Sequence, residues 1–462
     1  MIGIDILPDD VLLETLAFYV ADPFELGGKK EIHAWQSLVH VCWRWRNLVF
    51  GSSRRLNLRL CCTPQTPAKD RLDIWPAFPL IVVDTGDSTG TDNVVAALEQ
   101  SNRVHRVTLN LAGCKSEKVL APMQVPFPEL RYLYLLSRDK TAPVFPDSFL
   151  GGSAPRLEYF SLSGISLIPF LGLPTKLFLS ATQLSTLRLD DIPHSGYISS
   201  MVAALSALSS LKLLRLEFRS PQSLPEWESQ SILPPNRSVL PALCTFVFNG
   251  IIEYLKELTA RIDTPQLDGM FITFSNQINF DCPQLAQFIN RTPELRALNE
   301  AHVEFSYRSA YVRLQHRTSN SCFGNFRMKI SCEKLDCQVS CMAQVSLPPT
   351  VEYLYIEPEP YCLPSYNHIE KTLWLQLFHP LTAVKYLYLS REFAAGIAAA
   401  LYEGRMTDVF PSLQNIFVER EVTTPKPFHE NIEHFVAARQ LRISNHTIST
   451  FVWNKDSNLV SQ

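Results

Sequence analysis

The sequence has 462 residues, 46% of them hydrophobic, with 42 lysines and arginines against 45 aspartates and glutamates, a formal net charge of -3. This balance leaves no excess of positive charge to neutralise a phosphate backbone, so nucleic acid is not expected as a partner. No stretch approaches the ~18 uninterrupted apolar residues of a membrane span, and the first ten residues lack the basic region of a secretory signal. We expect no membrane association, and a cytoplasmic or nuclear location.

The cysteines give no sign of a metal site. Eleven of them are an ordinary number for a chain with reduced thiols. Cys332, Cys337 and Cys341 come closest together, but they form no C-x-x-C pair and have no matching pair elsewhere. We interpret them as small core residues, and expect no metal and no cofactor.

The first fifty residues have a helical period. Leu7-Pro8-Asp9-Asp10 places a proline and two acids at the start of a helix, where the helix dipole favours them. Val11, Leu12 and Leu16 follow on one face, and a second apolar stripe runs from Ala34 to Leu48. The sequence predicts a short all-helical module here.

Two motifs in this module, Leu7-Pro8-x-x-Val11-Leu12 and Val41-Cys42-x-x-Trp45-Arg46-x-Leu48, resemble an F-box over residues 5–50. The resemblance implies that these helices bind the adaptor subunit of an SCF-type cullin–RING ubiquitin ligase. Alternatively, the same helices only cap the first repeat of the array that follows. The positions that match the apolar motif of the family are Leu7, Pro8, Val11, Leu12, Leu38, Val41, Cys42, Trp45 and Leu48.

A repeat dominates the rest of the chain. The pattern Leu-x-x-Leu-x-Leu, or a close apolar variant, begins at Leu130, Leu157, Leu184 and Leu211, each 27 residues after the last. It continues with looser spacing to Leu413 and extends upstream almost to residue 54. Between Leu295 and Val351 the register is blurred and the number of repeats is uncertain.

Each repeat predicts a strand followed by a connection that is often helical. Alternating apolar residues form a strand with one buried face, and such a unit buries that face only by stacking on its neighbours. The pattern resembles the helix-containing leucine-rich repeat over residues 54–453, which implies an α/β solenoid with a curved parallel sheet and helices on the convex side. Residues 454–462 are predicted to be a C-terminal tail. The predicted helical stretches are 93–100, 198–208, 251–261, 283–290 and 392–402, with Thr91 and Asp281 as N-caps.

The residues between the leucines of each strand should lie on the concave face, where repeat proteins bind extended partners. Tyrosine and arginine are frequent there, and both are common at protein-binding hot spots. Tyrosine is also a good strand former, so these side chains could serve the sheet alone. The predicted substrate-binding residues are Tyr132, Tyr134, Tyr159, Arg188, Arg215, Tyr353, Tyr355, Tyr386, Tyr388 and Phe417.

No constellation of catalytic residues is predicted. The motifs H-E-x-x-H, G-x-x-x-x-G-K-[ST] and G-x-G-x-x-G do not occur in the sequence. We therefore expect a non-catalytic protein. A third interpretation, an enzyme of unrecognised type, has no residue constellation behind it, which leaves two functional interpretations. Either it is the substrate receptor of an SCF-type ligase, docking the adaptor through its F-box and a target protein through its repeats, or it is a repeat scaffold unconnected with ubiquitination.

Overall fold

The computed structural model divides the chain into two compact units, residues 1–193 (unit 1) and 194–462 (unit 2). The tail at 454–462 and parts of the predicted helical module, including residues 20–33, lie outside the described residues. The structure describes residues 7–19, 34–68, 72, 77–84, 90–111, 115–137, 148–164, 175–192, 198–219, 237–274, 282–317, 325–332, 334–345, 347–359, 369–403, 409–419, 426–442 and 448–453.

Unit 1 begins with three short helices and continues as strands joined by short helical connections. The helices are α1 (Asp9–Tyr19), α2 (Ala34–Leu38), α3 (Trp43–Gly51), α4 (Thr91–Leu98), α5 (Lys115–Leu120) and α6 (Thr175–Ser180), with 3-10 turns at Ala121–Gln124 and Phe149–Gly152. The strands are β1 (Leu60–Cys62), β2 (Leu80–Asp84), β3 (Val104–Asn110), β4 (Tyr132–Leu136), β5 (Tyr159–Ser163) and β6 (Thr186–Ile192).

The 27-residue spacing of the repeats places equivalent residues opposite one another in neighbouring strands. β1 to β6 lie side by side in chain order, and each pair from β1 to β6 is parallel. Leu133 faces Phe160, and Phe160 faces Leu187, so residues one repeat apart are direct neighbours across the sheet. All three are fully buried. The parallel stacking predicted from the repeat is confirmed in this unit.

Unit 2 contains longer helices and more strands. Its helices are α7 (Ile198–Leu205), α8 (Ile252–Arg261), α9 (Pro283–Arg291), α10 (Pro293–Arg296), α11 (Leu335–Gln344), α12 (Lys371–Phe378), α13 (Arg391–Glu403) and α14 (Lys426–Arg442). Its strands are β7 (Leu213–Phe218), β8 (Ser238–Val239), β9 (Thr245–Gly250), β10 (Ile262–Asp263), β11 (Gly269–Phe274), β12 (Glu300–Phe305), β13 (Ser309–Gln315), β14 (Phe326–Ser331), β15 (Tyr353–Pro358), β16 (Tyr386–Leu389), β17 (Asn415–Glu419) and β18 (Ser449–Trp453).

The prediction of an entirely parallel sheet is wrong between β11 and β15. The strands there run in the order β11-β14-β13-β12-β15, and β13 is antiparallel to both of its neighbours. Only residues 306–308 join β12 to β13, whereas a parallel crossover needs about a dozen residues. This antiparallel insertion occupies the region where the sequence register was blurred. The other described pairs of neighbouring strands between β7 and β18 in this sheet are parallel, as predicted.

The helices bury their apolar faces against the leucine side of the sheets. In α8 the buried residues Leu255 and Leu258 are three apart, and in α9 Leu285 and Ile289 are four apart, as a helix packing along one stripe requires. All five predicted helical stretches are helical in the structure, with boundaries shifted by a few residues. Thr91 is the first helical residue and Gly90 the N-cap, so the prediction of Thr91 as the cap is wrong; Asp281 lies outside the described residues.

The interpretation of two cysteines must also be corrected. Cys332 and Cys337 form a disulfide, with their Cα atoms 6.5 Å apart, a separation typical of such bonds. The expectation that both are reduced core residues is therefore wrong for this pair. Cys341 is buried, as predicted.

Gly164, directly after β5, provides a test of how closely the chain packs at the ends of β4 and β5. Gly164 has a φ of +66°, and a Cβ at this position would collide with the carbonyl oxygen of Ser137. Gly164→Ala should lower the free energy of unfolding by about 2 kcal/mol or more, because an L-residue is strained at this φ and the colliding group is backbone. The midpoint of urea denaturation measures the effect.

Gly51 provides the matched control. It lies at the end of α3, and nothing lies within 4 Å of a Cβ built there. Gly51→Ala should be neutral or slightly stabilising, because it lowers the entropy of the unfolded chain without a clash. Equal denaturation midpoints for the two variants would contradict the packing described around Gly164.

Candidate protein-binding sites

The residues between the leucines form a second sheet face. In β4 the burial alternates, with Leu133 and Leu135 fully buried and Tyr132 and Tyr134 half-buried. Nine of the ten predicted binding residues are half-buried in this way. Tyr388 is the exception: it is only 3% exposed, so the expectation that it is open to a partner is wrong.

In unit 1 an arginine–tyrosine row crosses this face. The rings of Tyr132 and Tyr159 stack with their centroids 4.2 Å apart and their planes 7° from parallel. The guanidinium of Arg106 lies 3.8 Å from the centre of the Tyr132 ring, and that of Arg188 lies 5.6 Å from the Tyr159 ring. Cation–π attraction therefore reinforces both ends of the stack.

In unit 2 five rings form a continuous row, which we call the aromatic ladder. His302, Tyr355, Tyr388, Phe417 and Phe451 face one another on successive paired strands. The centroid distances along the ladder are 4.3, 4.1, 4.4 and 5.2 Å. Tyr388 is buried because rings cover both of its faces, so at this position the ladder is a stabilising element.

A shorter row lies beside the ladder on β15 and β16, two residues earlier in each strand. Tyr353 stacks on Tyr386 with centroids 4.5 Å apart, and the guanidinium of Arg317 lies 4.1 Å from the Tyr353 ring. Both tyrosines are half-buried. This row therefore keeps aromatic surface accessible in unit 2.

Sequence reasoning missed Arg106, His302, Arg317 and Phe451. His302 and Arg317 fall in the region of blurred register, where the face of each residue could not be assigned. Phe451 belongs to the final strand, whose pairing with β17 continues the ladder. The alternation of β3 did carry the signal for Arg106, because Val107 is buried and its neighbour must face the other side.

His302, the first ring of the ladder, lies beside a carboxylate. His302 Nε2 lies 2.9 Å from a carboxylate oxygen of Glu300, to which Gln315 also donates a hydrogen bond of 2.5 Å. Burial opposes ionisation of Glu300, but the hydrogen bonds from His302 and Gln315, together with the nearby charge of Arg317, outweigh it and lower the pKa of Glu300. The carboxylate is thus negative beside the first ring of the ladder.

Burial favours the neutral form of three of these tyrosines. Burial, with a contribution from the adjacent Tyr159, raises the pKa of Tyr132 to about 12. Burial likewise raises the pKa values of Tyr355 and Tyr388. At neutral pH these side chains are therefore uncharged, with phenol groups that both donate and accept hydrogen bonds.

In the helical module the predicted adaptor-binding residues divide into two sets. Leu12 and Leu38 are buried, Leu7, Cys42, Trp45 and Leu48 are half-buried, and Pro8, Val11 and Val41 are exposed. Cys42 is the N-cap of α3, and its sulfur accepts a hydrogen bond from the Trp45 N–H. Its position in the motif thus has a structural reason.

Sequence reasoning missed two exposed aromatic residues of this module. Phe18 is 84% and Trp43 is 75% exposed, and both lie off the buried stripe of their helices. Arg44 forms an ion pair of 2.7 Å with Asp9 and donates to the carbonyl oxygen of Leu7, which brings the starts of α1 and α3 together. Pro8, Val11, Val41 and Trp43 flank this junction as exposed apolar side chains.

The module also packs on the first repeat. The indole N–H of Trp35 donates to the carbonyl oxygen of Arg59 at 3.0 Å, and its ring meets Phe78 edge-on at 5.4 Å. Phe50 contacts the same ring at 5.9 Å. These contacts are those of a capping element, and the same module also exposes apolar side chains such as Val41 and Trp43.

One sequence pattern contradicts the expectation that catalytic motifs are absent. Gly86-Asp87-Ser88-Thr89-Gly90 matches G-x-S-x-G, between β2 and α4. Residues 85–89 lie outside the described part of the chain. Gly90 itself has a structural reason: its φ is +125°, and a Cβ there would collide with the carbonyl oxygen of Pro64.

Among the described residues, no group of three or more His, Cys, Asp or Glu side chains could hold a metal ion. Within the same residues, no helix combines the length and the apolar character that a membrane crossing requires.

Comparison with known proteins adds little. No protein-family model matches the chain, and no curated protein matches it. One solved structure, a leucine-rich repeat-containing protein, LegL7 of Legionella pneumophila, aligns with 12% identity over 82% of this chain and 97% of that one. The TM-score is 0.26, too low to establish a shared fold.

Because the pKa of Tyr132 is raised, the free energy of unfolding should vary with pH in the alkaline range. The unfolded chain releases this proton above about pH 10, whereas the folded chain holds it to about pH 12. The stabilisation is thus complete below pH 10 and is lost as the pH rises through 12. Tyr132→Phe keeps the ring stack, so its unfolding midpoint should fall less steeply with pH between these limits. Equal slopes for the wild type and the variant would contradict this assignment.

Proposed function

We propose that this protein is a non-catalytic protein-interaction scaffold, whose repeats bind a partner through the face of the sheet opposite the helices. The observation that carries the proposal is the row of Tyr353 and Tyr386, an accessible aromatic surface in register across neighbouring strands. Large aromatic residues beside arginine are the usual energetic centres of protein interfaces.

The stacking favours binding for a further reason. A ring held between neighbours has already lost most of its rotational freedom, so little conformational entropy remains to be lost when a partner docks. The neighbouring Arg317 is likewise held over the Tyr353 ring. A rigid, hydrogen-bonding surface of this kind suits an extended segment of another protein.

Capture of partners from cell extract tests the scaffold. Tyr353→Ala with Tyr386→Ala should reduce recovery of wild-type partners at least about tenfold, because loss of two central aromatic contacts typically costs more than 1.4 kcal/mol of binding. Tyr388 is left intact because it is buried in the ladder. Quantitative mass spectrometry of the captured proteins is the readout.

Tyr307→Ala is the control, since Tyr307 is 67% exposed and lies outside the rows. It should retain every partner. If the double variant, with an unchanged circular dichroism spectrum, retained the same partners as wild type, the aromatic face would not be the binding surface.

A second function is favoured by the helical module. We propose that it docks the adaptor of an SCF-type ubiquitin ligase, which would make the chain a substrate receptor. Its support is the F-box-like motif together with the exposed apolar side chains Val11, Val41 and Trp43, which a folded module does not expose without cost. The receptor would then act by raising the local concentration of its target near the ligase.

Co-purification with the adaptor subunit tests this function. Val41→Glu with Trp43→Glu should abolish the complex, because a buried interface would have to desolvate two unpaired carboxylates. Both side chains are exposed, so the fold should survive. Leu179→Glu makes the same kind of change at a residue 65% exposed in α6 and should leave the complex intact. No complex with the folded wild-type protein would leave the module as a cap alone.

A further inference from the structure

The antiparallel insertion places positive charge on the second sheet face of unit 2. In β14 the burial alternates: Phe326 and Met328 are buried, whereas Arg327 is exposed and Lys329 is half-buried. These two cations therefore lie on the face opposite the buried row, about 6.6 Å apart along the strand at about 3.3 Å per residue. We call Arg327, Lys329 and the neighbouring Arg313 the basic patch.

Two arginines of the basic patch oppose each other. In the antiparallel register, Arg313 of β13 pairs with Arg327 of β14. Like charges directly opposite one another destabilise such a pair of strands. Arg313 is compensated, because its Nη2 lies 3.3 Å from Glu304 Oε1. Its buried Nε has no hydrogen-bond partner among the described residues. The strand pairing thus keeps a repulsion that an anion at Arg327 would relieve.

No ion pair within the described part of the chain includes Arg327 or Lys329. Their partners on β11 are neutral, since Phe271 lies opposite Arg327 and Thr273 lies opposite Lys329. On the other side, Lys329 pairs with Tyr311, and its Nζ lies 5.2 Å from the centre of that ring. A cation–π contact directs an ammonium group without neutralising it. Both side chains therefore keep their full positive charge.

An apolar strip borders the basic patch. Phe271 and Val247 pair across β11 and β9, and both are half-buried on the second sheet face. With strands about 4.8 Å apart, Phe271 lies about 4.8 Å and Val247 about 9.6 Å from Arg327 across the sheet. Positive charge and accessible apolar surface are thus within reach of one short segment.

We propose that the basic patch binds an anionic side chain of a partner protein, either acidic or phosphorylated, whose segment places an apolar residue on Phe271 and Val247. The proposal rests on the scaffold function and adds the chemistry of a partner. In an extended segment, residues two apart share a face and are about 6.6 Å apart, which lies between the two strand distances. The anion would accept charge-assisted hydrogen bonds from Arg327.

The basic patch suits a protein segment better than a nucleic acid. Nucleic-acid binding draws its affinity from several phosphates neutralised in succession. On the second sheet face, β11 and β9 continue from Arg327 with Phe271, Thr273, Val247 and Asn249, none of which is charged. A single anion beside an apolar residue is a pattern that a protein segment supplies.

Fluorescence anisotropy with the full chain tests the proposal. The probes are labelled peptides Gly-Ser-Leu-Ser-X-Ser-Gly, in which X is glutamate, phosphoserine or serine. At least one anionic peptide should bind about tenfold or more tightly than the serine peptide, with an affinity that falls as salt is added. The tighter of the two identifies the acidic or the phosphorylated partner. Equal affinity for all three peptides would overturn the proposal.

Arg327→Gln with Lys329→Gln should weaken binding of the anionic peptide at least about tenfold. The midpoint of urea denaturation should stay equal or rise, because the variant removes the repulsion of Arg313. A purely structural role for the two cations would instead lower that midpoint. If the double variant does not fold, Arg327→Gln alone is measured, with an expected weakening of several-fold.

Arg296→Gln is the matched control, because Arg296 is exposed in α10, away from the sheet. It should bind each peptide as the wild type does. Unchanged peptide binding by a folded patch variant, or tighter binding of labelled hexathymidylate than of either anionic peptide, would also sink the idea. Tyr353 and Tyr386 lie outside the basic patch on β15 and β16, so their capture test succeeds or fails independently.

Discussion

The burial of one leucine row against the next is the interaction on which the rest of each unit depends. Leu133, Phe160 and Leu187 are fully buried and face one another across parallel strands. Burying each such side chain contributes about 1.5–3 kcal/mol, and a single repeat has nothing to bury it against. Register is therefore strongly specified, because a slip of one residue would expose the whole row.

The same register creates the opposite face. Strands lie about 4.8 Å apart, close to the separation at which aromatic rings stack. Once the leucines are aligned on the inner side, tyrosines at equivalent positions must meet on the outer side, as Tyr353 and Tyr386 do at 4.5 Å. The candidate binding surface is thus a geometric consequence of the core, and its charge pattern follows in the same way, with arginines of separate repeats gathered at one edge.

The antiparallel insertion shows that the aromatic ladder does not depend on the chain order of the strands. β12 pairs with β15 in parallel and places His302 against Tyr355, so the ladder continues although the chain order of the strands is reversed. What the ladder requires is the pairing of the correct residues, and not the sequence order of the strands. A tight turn at 306–308 determined the antiparallel pairing, and the outer edges of the insertion still match the parallel strands on either side.

Much of this could be predicted from the sequence. The spacing of Leu130, Leu157 and Leu184 predicted the repeat and its parallel strands, because a buried strand face imposes a local pattern of apolar residues. The helices in unit 2, such as Ile252–Arg261, could be predicted for the same reason. Local patterns also separated the two faces of each strand, so nine of ten predicted surface residues are accessible in part.

Only the tertiary structure decided which strands pair and what each side chain meets. The sequence predicted an exposed Tyr388, but rings of the neighbouring strands cover it. It placed Phe18 and Trp43 outside the candidate site, although they are among the most exposed apolar residues of the module. It could not assemble the cavity of unit 1 whose lining includes Arg54 and Arg156, which are about a hundred residues apart in the chain. Exposure and charge at a surface depend on neighbours that are distant in the chain, and no local pattern encodes them.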